Sequence, residues 1–173
     1  MDVSIIICTA NRASDLRATL RSLAGVRPHG RVELLVVDNK SVDDTGRVVD
    51  EAAGSLSFPV RYVFEAEAGK YAALNAGIGV WRGGVIAATD DDARFEVDWL
   101  ERAVEGLARY DCGFVGGPVR PVWGGEKPAW LDERSSMHAK VIAILDHGGR
   151  VREFGRGIGW PLGCLISFVF ALG

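Results

Sequence analysis

Cysteine and histidine are scarce in this chain, and the few present are badly placed for metal or disulfide chemistry. Cys8, Cys112 and Cys164 are odd in number, far apart and without a C-x-x-C pair. That pattern argues against a disulfide framework and a zinc site, and it suits a reducing compartment. Cys8 and Cys112 are expected as small buried hydrophobes. His29, His138 and His147 form no metal-spaced group. The G-x-x-x-x-G-K-[ST] loop of P-loop NTPases and the G-x-S-x-G elbow of serine hydrolases are both missing. The spaced glycines of "GRGIGW" (155–160) follow no clear strand and open no helix, so they do not read as a dinucleotide loop.

An excess of one charge is also lacking. With 20 basic and 23 acidic residues the formal net charge is −3, which gives no reason to expect nucleic acid or an anionic membrane as partner. An anionic ligand would need local donors or a metal. The start, "MDVSIIICTANR", has no basic leader. The end, "WPLGCLISFVFALG", is strongly apolar but shorter than the roughly 20 residues of a membrane-spanning helix. The expected compartment is the cytoplasm, with peripheral attachment at the inner face of the membrane left open. No internal repeat or low-complexity tract is present.

What the chain does have is the composition and periodicity of one globular domain. Its 173 residues are 48% apolar and 25% charged, enough for a core without staples. Four short, β-branched runs, at 3–8, 32–37, 60–64 and 84–89, suit strands covered on both faces. Helical patterns lie between them. Leu16, Leu20 and Leu23 recur at helical spacing before Gly25. Val48, Val49 and Ala52 mark the inner face of a second helix, which Ser41 is expected to cap with Asp44 three residues on. Leu100, Ala103, Val104 and Leu107 mark a later helix, expected to start near Glu96. This alternation implies βαβ units and a mostly parallel, doubly wound sheet. Beyond about residue 111, "GGPVRPVWGGEKPAW" (116–130) reads as a strand and a long irregular loop, and 135–145 as a short helix.

In such a sheet ligands bind beyond the carboxyl ends of the strands. Three of those ends are polar: "CTANR" (8–12), "VDNKS" (37–41) and "TDDDA" (89–93). Asp90, Asp91 and Asp92 form either a solvated acidic turn with a helix cap or a cation site. Oxygen donors without His or Cys would select Mg²⁺ or Mn²⁺, with a diphosphate completing the shell. Thr9, Asn11 and Arg12 either cap the first helix or touch a ligand. Asp38 and Asn39 either form an Asx turn or bind a base or ribose. Gly69 and Lys70 open a helix rich in small residues. A lysine there opposes the helix dipole unless a phosphate lies nearby; a plain surface lysine is the other reading. Asn75 stands inside that helix against propensity, as a residue facing a site would.

Taken in order, "VSIIICTANRASDLRATLRSL", "ELLVVDNKSVDDT", "EAGKYAALNAGI", "IAATDDDARFEVDWLE" and "VGGPVRPVW" resemble the family 2 glycosyltransferases of the GT-A fold. The resemblance covers nearly the whole chain. It implies a Rossmann-like three-layer α/β/α architecture with a mostly parallel central sheet. It implies a nucleotide-diphosphate-sugar donor, UDP-linked by preference with GDP or dTDP as alternatives, and Mn²⁺ or Mg²⁺ on a DXD-type motif. By the resemblance, Thr9, Asn11, Asp38 and Asn39 line the nucleotide pocket, with Arg12 beside them. Lys70 and Asn75 lie by the nucleotide or diphosphate. Asp90, Asp91 and Asp92 match the motif that holds ribose, metal and diphosphate, with Asp90 and Asp92 as metal ligands. Trp123 and Trp130 match the acceptor-side loop, where packing is the expected role.

The same resemblance implies an inverting transfer to a sugar or lipid-linked acceptor, with a carboxylate as base. That base is expected after a G-x-N-x-x-x-R-R-like segment. In "GCLISFVFALG" (163–173), Leu165 stands at the Asn position and Val169 and Phe170 at the basic pair, so the catalytic base is unassigned. Residues 1–110 are therefore expected as the donor half of one domain and 111–173 as a partial acceptor side, the ending reflecting a truncation or frame change. The apolar end is expected either to cover the unfinished sheet or to self-associate. A catalytically silent module that binds a nucleotide sugar or a partner protein is the alternative function. A sugar-nucleotide pyrophosphorylase fits less well, because "CTANRASDL" is not a glycine-rich basic loop.

Overall fold

The computed structural model describes residues 2–132, 144 and 151, and the backbone of 167–171. In chain order the elements are β1 (Val3–Thr9), α1 (Ala13–Leu23), β2 (Val32–Asp38), α2 (Thr45–Ala53), β3 (Val60–Phe64), α3 (Lys70–Val80), β4 (Val85–Asp90), α4 (Trp99–Tyr110), β5 (Phe114–Val115) and β6 (Ser167–Ala171). They build one sheet in the order β3-β2-β1-β4-β6-β5. β3, β2, β1 and β4 run parallel, and β6 is antiparallel to both β4 and β5. The expected mostly parallel α/β sheet is thus present.

Strand alternation divides the apolar residues between two faces. Ile5, Ile7, Leu34 and Val36 pack with Leu16 and Leu20 of α1, Val48 of α2 and Leu100 of α4. Ile6, Leu35, Val37 and Ile86 take the opposite face, beneath Ala73 of α3. Helices therefore cover both sides, which gives three layers. Each isoleucine or leucine fully buried here contributes about 1.5–3 kcal/mol. Coverage on both faces holds for β1, β2 and β4. It fails for β3, whose residues are half-buried or exposed, because it is an edge strand with β2 as its neighbour.

α3 lies close to the sheet because its small residues permit it. A Cβ at Gly77 would stand 2.9 Å from Ile6 Cγ2 and 3.1 Å from Val37 Cγ2. Two helix starts differ from expectation. α2 begins at Thr45, and the residue before it, Asp44, makes no side-chain cap. Ser41 is instead recruited by the first loop, where its Oγ accepts the Asn11 N–H at 2.8 Å. Asp43 serves both helices: Oδ1 accepts the Thr45 N–H and Oδ2 the Ala13 N–H. α4 begins at Trp99 rather than near Glu96, after a stretch that ties Phe95 N–H to Ser22 Oγ at 2.7 Å.

Two packing expectations also need correction. Cys8 and Cys112 are only partly buried, at the rims of the two cores. Trp130 is 71% exposed, so it does not pack as core. Segment 116–130 is irregular apart from a bridge at Val119; the strand expected at its start lies just before it, as β5 at Phe114–Val115. β6 places 167–171 inside the sheet between β4 and β5, so this apolar stretch completes the sheet. The helix expected over 135–145 and the "GRGIGW" segment lie outside the described residues, apart from residue 144. Among the described residues no helix is long and apolar enough to cross a membrane.

Candidate functional site

Strand register brings the polar strand ends together. Thr9, the last residue of β1, is level with Asp38 of β2, and Cys8 is level with Asp90 of β4. The chain beyond each strand then turns away into a helix, leaving these side chains on one edge of the sheet.

The acidic turn is compensated by side chains from three other elements. Asp91 is 5% exposed and turned inward. The Thr9 hydroxyl donates to its Oδ2 at 2.7 Å, and Arg12 pairs with its Oδ1 at 3.0 Å. Burial raises the Asp91 carboxyl above its ordinary range, against the opposing pull of Thr9 and Arg12. Asp90 and Asp92, two positions apart, are more open, with side chains 26% and 50% exposed. Lys70 Nζ donates to Asp90 Oδ1 at 2.5 Å, and Arg12 donates to Asp92 Oδ2 at 2.9 Å. Arg12 also pairs with Asp15. The hydrogen bond to Asp92 is the main reason that the Arg12 guanidinium is held even more firmly protonated. Burial alone would lower the Lys70 ammonium; the hydrogen bond and charge of Asp90 outweigh it and raise it.

The second strand end is a built floor. Asp38 is buried, with Oδ1 accepting the Ser41 N–H at 2.9 Å and Oδ2 accepting the Tyr62 hydroxyl at 2.5 Å. Burial and the adjacent carboxylate raise the Tyr62 phenol to about 12. The Asn39 amide donates to the carbonyls of Glu65 and Glu67, and its Oδ1 accepts the Gly69 N–H. Asn39 therefore fixes the loop that launches α3 and places Lys70. Asn11 holds the opposite rim: it adopts φ 54°, and its Oδ1 accepts the Val42 N–H. Asn75 is exposed, two positions from the sheet-facing Ala73 and Gly77, so it stands on the helix face turned from the sheet.

Thr9, Arg12, Lys70, Asp90, Asp91 and Asp92 thus form one bonded cluster, with Asp38 and Asn39 beside it; Asn75 is not joined to it. Three supporting residues escaped the sequence reading: Tyr62, Asp43 and Thr19. The Thr19 hydroxyl donates to the Asp91 carbonyl at 2.6 Å. Its signal was a polar residue within the apolar stripe of Leu16, Leu20 and Leu23. Beside Asp92, between α4 and residues 115–124, opens a cavity of about 800 Å³. Arg12, Phe95, Trp99, Arg102 and Trp123 help to line it.

Among the described residues no group of three or more His, Cys, Asp or Glu side chains is placed to hold a metal. Asp90 Oδ2 and Asp92 Oδ1, however, take no hydrogen bond from any described residue. Two such oxygens suit a hard divalent cation whose remaining ligands come from a phosphate and water.

The sequence profile described as Glycosyl transferase family 2 matches residues 4–165. Glycosyltransferase AglE of Haloferax volcanii is 30% identical over 141 residues, 80% of this chain and 46% of that protein. The succinoglycan biosynthesis protein ExoM of Rhizobium meliloti is 30% identical over 133 residues, 76% of this chain and 43% of its own length. The chain thus spans less than half the length of these relatives. Among solved structures, the mannosyltransferase PcManGT of Pyrobaculum calidifontis, in complex with GDP-Man and Mn²⁺, superposes with a TM-score of 0.63 at 31% identity. That match covers 68% of this chain and 35% of the mannosyltransferase. TarS of S. aureus (residues 1–349) matches in fold, with a TM-score of 0.64 at 22% identity over 76% of this chain and 39% of that one. With its profile match, its parallel sheet and the acidic turn at the end of β4, the chain belongs to the family 2 glycosyltransferases and has their GT-A fold.

Proposed function

We propose that the chain is the donor-binding part of a glycosyltransferase that moves a sugar from a nucleotide diphosphate to an acceptor hydroxyl, with inversion. The observation that carries this reading is the outward pair Asp90 and Asp92 at the end of β4, flanked by the ends of β1 and β2. It is supported by the GDP-Man and Mn²⁺ bound by the mannosyltransferase neighbour. Residues 1–110 are the donor side, and the region after 111 contributes to the acceptor side.

Asp90 and Asp92 would hold Mn²⁺ or Mg²⁺, whose positive charge favours departure of the diphosphate. The chain's own residues do the positioning. Thr9 and Arg12 hold Asp91 inward, which turns its neighbours outward. Asn39 sets the start of α3, where Lys70 and the first amides attract phosphate. Asp38, fixed by Ser41 and Tyr62, shapes the floor on which the nucleoside lies. The cavity beside Asp92 is where the acceptor, a sugar or a lipid-linked sugar, would approach. A UDP-sugar is the favoured donor, with GDP- and dTDP-sugars as the alternatives.

A silent nucleotide-sugar-binding module is favoured by one observation, the replacement of the expected Asn and basic pair by Leu165, Val169 and Phe170. Calorimetry with UDP-, GDP- and dTDP-sugars, with and without Mn²⁺ or Mg²⁺, tests the main reading. Metal-dependent binding of one donor is expected. Binding of none sinks both readings, whereas binding without transfer or hydrolysis selects the silent module.

A further inference from the structure

Resting on the donor-site reading above, we propose that Lys70 and Arg12 are built-in counter-cations of the acidic turn, which a divalent metal must displace, so that metal and nucleoside diphosphate bind as a coupled pair. The geometry is specific. Each of the two outward carboxylates has one oxygen taken by a cation from another element: Lys70 Nζ on Asp90 Oδ1 at 2.5 Å, and Arg12 on Asp92 Oδ2 at 2.9 Å.

Both cations are positioned to leave. Lys70 is the first residue of α3, where the positive end of the helix repels an ammonium and favours a phosphate. Arg12 keeps Asp15 and Asp91 as partners when it gives up Asp92. Solvent-exposed pairs of this kind are weak and exchange readily. A divalent ion arriving alone at the two open oxygens meets a positive group on the other oxygen of each carboxylate, and neither cation that it repels gains a new anionic partner. A diphosphate arriving with it supplies new acceptors for both, so the exchange becomes favourable. The coupling is reciprocal: the diphosphate also binds better when metal is present. Lys70 and Arg12 would thereby keep the chain from loading metal without donor.

The test titrates Mn²⁺ into the full chain, alone and with UDP or GDP, counting free Mn²⁺ by electron paramagnetic resonance. For the unaltered chain, affinity for Mn²⁺ should rise by about tenfold or more when the nucleotide is present, within the usual range of coupled sites. Lys70→Met should bind Mn²⁺ alone several-fold more tightly and lose most of the coupling, with Arg12→Met acting in the same direction. Arg94→Met controls for general charge, because among the described residues the Arg94 guanidinium bonds to the Thr19 hydroxyl and to the carbonyls of Asp92 and Ala93, not to a carboxylate. Circular dichroism melting verifies folding, and the exposed Lys70 variant decides the matter if Arg12→Met does not fold. Unchanged affinity of Lys70→Met for Mn²⁺ alone, or an equal gain in Arg94→Met, overturns the inference while leaving the donor site intact. Failure of every nucleotide to bind the unaltered chain, with or without Mn²⁺, overturns the donor-site reading and the inference with it.

Discussion

Thr9 and Asp91, 82 positions apart in the chain, are joined by a buried 2.7 Å hydrogen bond from the Thr9 hydroxyl to Asp91 Oδ2. This bond, made between the ends of β1 and β4, turns the middle aspartate inward and leaves Asp90 and Asp92 facing out. Thr9→Val should therefore cost about 1.5–3 kcal/mol, the usual range for a hydrogen bond to a charged group. Urea unfolding measures it, and Thr9→Ser should recover most of the loss. An equally stable valine variant would show that the bond does not hold the turn.

Asp92→Ala addresses the outward pair. Its side chain is half exposed, so the melting temperature should change little. Metal-dependent donor binding should fall by at least about tenfold, since one of the two proposed protein ligands is gone. A folded variant with unchanged Mn²⁺ dependence would count against the metal assignment.

Tyr62 and Asp38 make a pH-dependent pair. The Tyr62 phenol is raised from 10.0 to about 12, so its contribution is present below pH 10 and is lost as pH rises towards 12. Above that range a phenolate would face the Asp38 carboxylate. Tyr62→Phe should be less stable at pH 8 by about 1 kcal/mol, a modest figure because the ring is 43% exposed. The difference between the two proteins in urea unfolding should shrink between pH 10 and 12. A difference that stays constant to pH 12 would rule out this pairing.

Glycines in α3 separate close packing from simple flexibility. Gly77→Ala puts a methyl 2.9 Å from Ile6 Cγ2 and should cost about 1–3 kcal/mol. Gly79→Ala meets nothing within 4 Å and should stabilise the helix by about 0.5–1 kcal/mol. Only the first should weaken donor binding, because it lifts the helix that carries Lys70. Thermal melts and nucleotide titrations of both variants provide the comparison.

Much of the fold was legible because its signals are local. Short β-branched runs, helical leucine spacing and polar residues after each strand depend on neighbours within a turn or a strand, and they placed β1, β2, β4, α1 and α4 to within a few residues. Helix starts were less legible. Ser41 has the chemistry of a cap, yet Asn11, thirty positions away, takes its hydroxyl. Trp130 has the chemistry of a core residue but stands exposed, because burial depends on what the rest of the chain brings to it.

By itself, then, the sequence determined a parallel α/β sheet with an acidic turn at the carboxyl edge of its strands, since periodicity and strand-end chemistry are written residue by residue. Tertiary structure alone decided how three adjacent carboxylates coexist. Their mutual repulsion is offset by Thr9 at the end of β1, by Arg12 just beyond it and by Lys70 from α3, partners up to 82 positions away. Such partners meet only when the sheet register brings their strands level. That is why the division of labour, one aspartate inward and two outward, could not be read along the chain.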